Sequence, residues 1–529
     1  MERSSGGPVP SVQSSTTPEL VSRTVELAGD VSGPRLLEID DRRVFWSSAR
    51  GPTLFGFGVA HEITIGRELV ADPDGPTESS VEETVPSNDS SIADRFDRVR
   101  ERAESCFDRI DYDGPERARP RAFGGFSFHG FPPSGSDPNS LWTDFPIASF
   151  VIPEAMVTAG TSGQVLTVTT TEPVMEERLN RWKRQLEGKR LREGNRLREA
   201  KEIPTEREQS RSEDHPDVGT RQKNTDERRG RRKRDEDIVA GGGRNDRVID
   251  PDARSATGRL LGSQPPDPDE WMECVEAAVD RIERTALEKV VLAQQRRYEY
   301  DRPIDVSQAI DRLGSVYPDC YRFLLDGGNS TYVGATPERL VSLSDRTIET
   351  EALAGSMPRG ATPEADDRHT DTLRSDPKLA DEHDLVVRSI RDGLRAIADS
   401  VTVNDRRVRK LATMQHLQTP LSGSVPDDVH VIDAVRTLHP TPAVGGVPTS
   451  EANTTIERLE PFDRGWYASP VGWFDATGDG EFAVAIRAAL VADETASVFA
   501  GNGIVADSDP HDEREEIELK FQSILDWVT

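Results

Sequence analysis

Three cysteines in 529 residues leave little for a disulfide framework or a thiolate metal site to use. Cys106, Cys274 and Cys320 form no close pair and are odd in number, so a reducing, cytoplasmic setting is expected. No apolar run approaches the ~18 residues of a membrane-crossing helix, so no membrane association is expected. The opening stretch, Met1 to Thr17, is rich in Ser, Thr, Gly and Pro and lacks the apolar core of a signal peptide; it is expected to be a disordered tail. Hydrophobic residues make up 34% of the chain and aromatics 6%, low for a compact enzyme, so part of the length is expected to lie outside any core. Positive charge is in the minority, 66 Lys and Arg against 95 Asp and Glu, for a net charge of −29. Such a chain repels nucleic acid and anionic lipid, and neither is expected as a partner. The acid is spread along the chain, as on the solvated surface of a salt-adapted protein.

What is present falls into zones. Residues 18–175 carry short apolar runs separated by Gly, Pro and Asp, such as Arg43 to Trp46, Thr53 to Gly58 and Ala122 to Phe128, and read as strands and turns. Ser91 to Ile110 has the spacing of an amphipathic helix. Residues 176–258 are dominated by Arg, Glu, Lys and Asp, and the run Arg228 to Arg234 is strongly basic. A nucleic-acid-binding arm is one reading of that run. Acid on both flanks weakens its field, so a disordered insertion between two halves of one fold is preferred. Residues 259–529 look globular again. Asp269 to Glu288 predicts a helix, Lys289 to Tyr300 a strand, and Gly327-Gly328-Asn329 the turn of a hairpin. Asp381 to Ala398 predicts a helix. Phe482 to Ala492 and Ser497 to Gly501 predict a strand pair, and Asp509-Pro510 opens a final helix as N-cap and first residue.

Within this last zone lysine is scarce. From Leu260 onward it occurs only at Lys289, Lys378, Lys410 and Lys520, while arginine is used freely. Lysine can lose its proton when desolvated and arginine cannot. Lys289, in Glu288-Lys-Val-Val-Leu-Ala-Gln294, is therefore a candidate general base on a buried strand, unless it is a strand-end lysine reaching to solvent. Glu513, Glu516 and Lys520 share one face of the final helix, and Glu382-His383 lies on another. Two carboxylates from two helices suit Mg2+, though acidic clusters on an acidic protein are commonly just solvated faces. Gly501-Asn502-Gly503 follows a strand and could offer backbone amides to an anion, or could be a plain turn. Arg487, inside an apolar strand-like run, suits a carboxylate ligand or a structural ion pair.

In order and spacing these segments resemble the chorismate-utilising enzymes. The resemblance rests on Lys289-Val-Val-Leu-Ala, Gly334-Ala-Thr-Pro-Glu338-Arg-Leu, Ala354-Gly355-Ser356-Met-Pro-Arg-Gly360, Glu382-His383, His439-Pro-Thr-Pro-Ala443, Tyr467-Ala-Ser-Pro-Val-Gly-Trp473, Ala485-Ile-Arg487, Ala500-Gly-Asn-Gly503-Ile-Val and Glu513 to Lys520. Phe123-Gly-Gly-Phe and Phe145 to Pro153 resemble the family more loosely. A lysine in the first block resembles isochorismate and salicylate synthases, which use water as nucleophile; the ammonia-using anthranilate synthases have another residue there. No glutaminase subunit is expected.

The resemblance implies an α+β fold of large, stacked, mostly antiparallel sheets with helices outside and the site in a central cleft. It implies isochorismate formation from chorismate, for menaquinone synthesis, with salicylate synthesis as the alternative. Lys289 would be the base and Glu338 the acid. Glu382 and Glu516 would hold Mg2+, with Glu513 and Lys520 beside them. Gly355, Ser356, His416, Ala443, Tyr467, Arg487 and Gly503 would contact substrate. One departure stands out: the family often has an acid three residues before the Glu of Glu-His, and here that residue is Leu379, with Asp381 nearby. A non-catalytic scaffold built around the charged insertion is the competing class, and the retention of both acid-base and metal positions counts against it.

Overall fold

Strand Lys289–Tyr300 shows how the sequence builds this molecule. Its first six residues are all buried, as in a strand covered on both faces, whereas from Arg296 onward buried and exposed residues alternate as one face meets solvent. It pairs antiparallel with Thr495–Ile504 over ten residues, from Val290 opposite Ile504 to Glu299 opposite Thr495.

A computed structural model describes residues 20–28, 34–39, 41–49, 51–66, 91–130, 141–161, 163–187, 258–411 and 414–528. The expected N-terminal tail, the basic run and most of the charged zone lie outside the described residues. Two sheets, of 13 and 10 strands, organise the rest. Both draw on both ends of the chain. In the larger sheet Tyr321–Asp326 lies against Arg43–Ser47, and in the smaller one Pro470–Asp475 lies against Arg121–Phe126. Pairing around these junctions is antiparallel; Leu20–Glu26 and Ile110–Asp113 run parallel at the far edge of the larger sheet. Side chains of both sheets, with helices packed against them, merge in one hydrophobic core. This is the α+β arrangement expected. Among the described residues no helix is long and apolar enough to cross a membrane.

The hairpin formed as expected, with Tyr321–Asp326 and Thr331–Thr336 joined through Gly328 at φ 115°. The final helix begins at Pro510, and Asp509 accepts from the amides of His511 and Asp512.

Three boundaries differ from the sequence reading. The helix expected from Asp381 starts at Pro377, because Asp376 caps it through the Lys378 and Leu379 amides and Pro377 occupies the first turn. The glycines of 501–503 are not a turn after a strand: they lie within Thr495–Ile504. The run from Phe482 to Ala492 is two strands, Gly480–Val484 in the smaller sheet and Ala488–Ala492 in the larger. Arg487 is thus not inside a strand. It sits where the chain changes sheets, in the left-handed region at φ 52°. An uninterrupted apolar run hides such a break, because both strands are buried.

Candidate active site

Burial separates Lys289 from the other three lysines of the C-terminal zone. Its side chain is 5% exposed, against 56% for Lys378, 36% for Lys410 and 37% for Lys520. Lys289 opens its strand, and its Nζ donates to Glu382 Oε1 at 2.6 Å. The room for this comes from Gly503 on the adjacent strand. A Cβ there would stand 2.8 Å from Lys289 Cε and 3.3 Å from its Nζ, and 4.0 Å from Glu382 Oε1. Any side chain at 503 would therefore displace the lysine.

Glu338 lies at a second crossing between sheets, between Thr331–Thr336 of the larger and Arg339–Ser344 of the smaller. Its amide donates to Thr336 Oγ1 and its carbonyl accepts from the Val484 amide. The two crossings are tied together, since the Ala335 amide donates to the Arg487 carbonyl at 3.1 Å. Acid and arginine are thus delivered to one seam by backbone connectivity. Burial pushes the Glu338 carboxyl up to about 7; Glu351 pushes the same way and Lys289 opposes. A carboxyl in that range can hold a proton at neutral pH and give it up.

Tyr467 joins the same seam. It is buried and stacked on Phe499 with ring centroids 5.2 Å apart, and a Cβ on Gly501 would come within 3.3 Å of its hydroxyl. Burial raises its hydroxyl pKa, with smaller contributions from Arg464, which opposes, and from Glu460 and Glu338. The next residue, Ala468, has φ 59° and exchanges backbone hydrogen bonds with the Ala485 segment. Left-handed non-glycine residues at 468 and 487 mark backbone strain concentrated at this seam.

The final helix brings Glu513 and Lys520 to Asn502, and Glu516 to Lys520. Asn502 Nδ2 donates to Glu513 Oε2 at 2.9 Å and to the Glu513 carbonyl at 2.7 Å, while its Oδ1 accepts from Lys520 Nζ at 2.9 Å. Ser508 donates to the other oxygen of Glu513. Lys520 also donates to the Gly501 carbonyl and pairs with Glu516 at 2.8 Å. Both oxygens of Glu513 are therefore engaged, whereas Glu516 is half exposed and meets only Lys520 among the bonds found. Burial raises the Glu513 carboxyl, and Glu516 adds to it.

On the other wall, strand Thr347–Pro358 bulges at Gly355, whose φ is 73°. The bulge lies over Leu379: a Cβ on Gly355 would be 3.2 Å from the Leu379 carbonyl oxygen and 3.6 Å from its Cβ. Leu379, the departure from the family pattern, thus packs beneath the cleft wall, while Asp381 is exposed. Beyond the bulge, Ser356 Oγ is 2.6 Å from His416 Nδ1. His416 Nε2 and Arg487 Nη1 are buried and have no hydrogen-bond partner. Ala443 is partly buried in the turn before Gly446–Val447, next to Thr441, which neighbours the Glu338 carboxyl.

With this geometry in view, the similarities to known proteins are informative. A family model described as chorismate binding enzyme matches residues 70–228 and 242–529. The chain belongs to the chorismate-binding enzyme family. Isochorismate synthase MenF of Bacillus subtilis is 39% identical over 260 residues, 49% of this chain and 55% of the relative. The salicylate biosynthesis isochorismate synthase of Pseudomonas aeruginosa is 36% identical over 291 residues, 54% of this chain and 60% of the relative. The matched stretch thus spans little more than half the length of these relatives. The fold is shared with MenF of Escherichia coli, titled a menaquinone-specific isochorismate synthase. The TM-score is 0.67 at 20% identity, over 97% of this chain and 95% of that one.

Several residues that organise this candidate site were given no role by the sequence reading. His383, fully buried, bonds Ala354 O through Nδ1 and Thr419 Oγ1 through Nε2, pinning the helix of Glu382 to the cleft wall. Arg464 and Glu460 form a buried pair: Arg464 donates to Val291 O and Val444 O, and Glu460 accepts from the Ala293 amide. The pair rivets the Lys289 strand to the loop after Ala443. Arg409 clamps Glu351, which in turn bears on Glu338. Spacing could flag Arg464 and Glu460 as an i, i+4 pair, but not their burial. Among the described residues no three His, Cys, Asp or Glu side chains gather as a metal-binding group. Glu382 and Glu516 are at least partly exposed, and each meets a lysine, Lys289 and Lys520 respectively; oxygen ligands of this kind are of the type that Mg2+ takes.

Proposed function

We propose that this chain is an isochorismate synthase, converting chorismate to isochorismate with Mg2+. The observation that carries the reading is a buried amine at Lys289 whose charge bears on a buried carboxyl at Glu338, held at about 7. Replacing a hydroxyl at C4 by one at C2 needs both. Water is a poor nucleophile until it loses a proton, and hydroxide is a poor leaving group until it gains one. Lys289 takes a proton from the water whose oxygen attacks C2. The ring double bonds shift, and Glu338 gives its proton to the C4 hydroxyl, which leaves as water. One water enters and one departs, so the net change is an isomerisation.

Mg2+, held by Glu382 and Glu516, would supply positive charge beside the ring carboxylate. Glu513, engaged by Asn502 and Ser508, supports the helix turn that presents Glu516. Arg487 and Tyr467 receive the enolpyruvyl carboxylate, and the unpartnered Arg487 Nη1 supports this. The Gly355 bulge shapes the wall that carries Ser356 and His416, Gly503 floors Lys289, and Ala443 lines the turn by Glu338. The lysine-containing block and the isochorismate synthases named above favour water over ammonia as nucleophile, and the name of the E. coli protein favours menaquinone synthesis as the destination.

Incubation of the purified chain with chorismate and Mg2+, with the products separated and identified, tests the reading. Isochorismate is expected, with turnover lost in excess chelator and restored by Mg2+. Salicylate with equimolar pyruvate, or turnover unaffected by chelation, would overturn it.

A further inference from the structure

Two buried polar atoms in the cleft wall have no partner, His416 Nε2 and Arg487 Nη1. Arg487 is also among the charges that bear on the His416 ring, with Arg409 and Lys520; these and above all burial push the imidazole down to about 3. At working pH the ring is therefore neutral and carries one N–H. Its other nitrogen, Nδ1, lies 2.6 Å from Ser356 Oγ across the Gly355 bulge. A neutral ring allows two arrangements. In one, Nδ1–H donates to Ser356 and Nε2 offers a lone pair. In the other, Ser356 donates to Nδ1 and Nε2 carries the hydrogen. Arg487 lies near enough for its charge to bear on the ring, yet Nε2 and Nη1 are both left without a partner. If Nε2 carries the hydrogen, both are donors, and an anionic acceptor suits them.

We infer that Ser356 is a positioning residue: its hydroxyl donates to His416 Nδ1 and so fixes the tautomer in which Nε2–H, beside Arg487 Nη1–H, receives a carboxylate of the substrate. The tautomer stands on this chain's geometry alone; the identity of the carboxylate as chorismate's rests on the proposed function. Only the ligand-free tautomer needs Ser356, so the hydroxyl acts on binding rather than on bond making. A fraction of rings in the wrong tautomer lowers the apparent affinity by that fraction, and a loosened ring lowers it further.

The experiment uses the full chain, with 15N NMR of labelled histidine to read the tautomer and steady-state kinetics with chorismate. Wild type and Ser356→Thr should show the Nε2–H form of His416, and Ser356→Val, of nearly the same shape as Thr, should show a mixture. KM for chorismate should rise severalfold in Ser356→Val with kcat changed less, and Ser356→Thr should stay within twofold of wild type. An Nδ1–H signal in wild type, or equal spectra and KM for the Val and Thr variants, would overturn the inference. Ser356 is exposed on its strand, so neither substitution endangers the fold. Absence of turnover on chorismate with the Nε2–H form intact would sink the proposed function and the carboxylate assignment, but leave Ser356 as the residue that fixes the tautomer.

Discussion

At the scale of single residues, burial rather than residue type separates function from decoration. All four C-terminal lysines meet a carboxylate, but only Lys289 does so out of water. Lys289→Ala should reduce turnover by at least a thousandfold, in the upper range of a general-base contribution of ~10²–10⁴, with the circular dichroism spectrum unchanged. Retained turnover in that variant would remove the base. Glu338 supplies the pH dependence. Its carboxyl sits at about 7 in the fold against an ordinary 4.5. A raised folded-state pKa means that protonation favours the fold, so this contribution is complete below about 4.5 and lost as pH rises through about 7. The shift corresponds to roughly 3 kcal/mol. Denaturant unfolding from pH 4 to pH 8 should show the loss in wild type relative to Glu338→Gln, and kcat/KM should fall above about pH 7 as the acid is lost. A pH-independent difference between the two proteins would show the carboxyl is not desolvated as drawn.

At the scale of elements, the helix Pro377–Leu394 and the strand Thr347–Pro358 act as one part. Asp376 starts the helix and His383 locks it to the strand, so Glu382 is aimed by groups that never reach the cleft. Asp376→Ala should cost about 1 kcal/mol through the lost cap. His383→Leu should cost more, ~2–3 kcal/mol, because Thr419 Oγ1 and Ala354 O lose a buried partner. His383→Leu should also raise the Mg2+ concentration for half-maximal turnover. Lower stability with an unchanged Mg2+ requirement would mean that the lock does not aim Glu382.

At the scale of the whole molecule, both sheets that position the candidate site are built from both ends of the chain. N-terminal strands complete both sheets, and the helix at residues 175–187 buries Trp182 against Phe57, its indole N–H on Glu154. Residues 189–255 lie outside the described residues, and the strands and helices named above all lie on either side of them. A chain in which residues 189–255 are replaced by a short Gly/Ser linker should keep turnover within a few-fold of the full chain. Loss of turnover in a folded excision variant would give the insertion a role in catalysis.

Much of this protein could be read along the chain, because local physics governed it. Strand Lys289–Tyr300, the Gly-Gly hairpin and the Asp509-Pro510 cap are set by side-chain pattern and turn chemistry within a few residues. The order of motif blocks carried the family and put forward the candidate site residues. Other features came only from the folded chain. Arg487 looked like a strand residue because the strands on either side are both apolar, and only pairing with different partners breaks the run there. His383 and Asn502 lie in recognised motif blocks but had no assigned role, and the Arg464–Glu460 pair resembles many surface pairs in sequence. They became anchors because separate strands and helices closed over them, and a polar group removed from water must find its partners wherever the tertiary structure puts them.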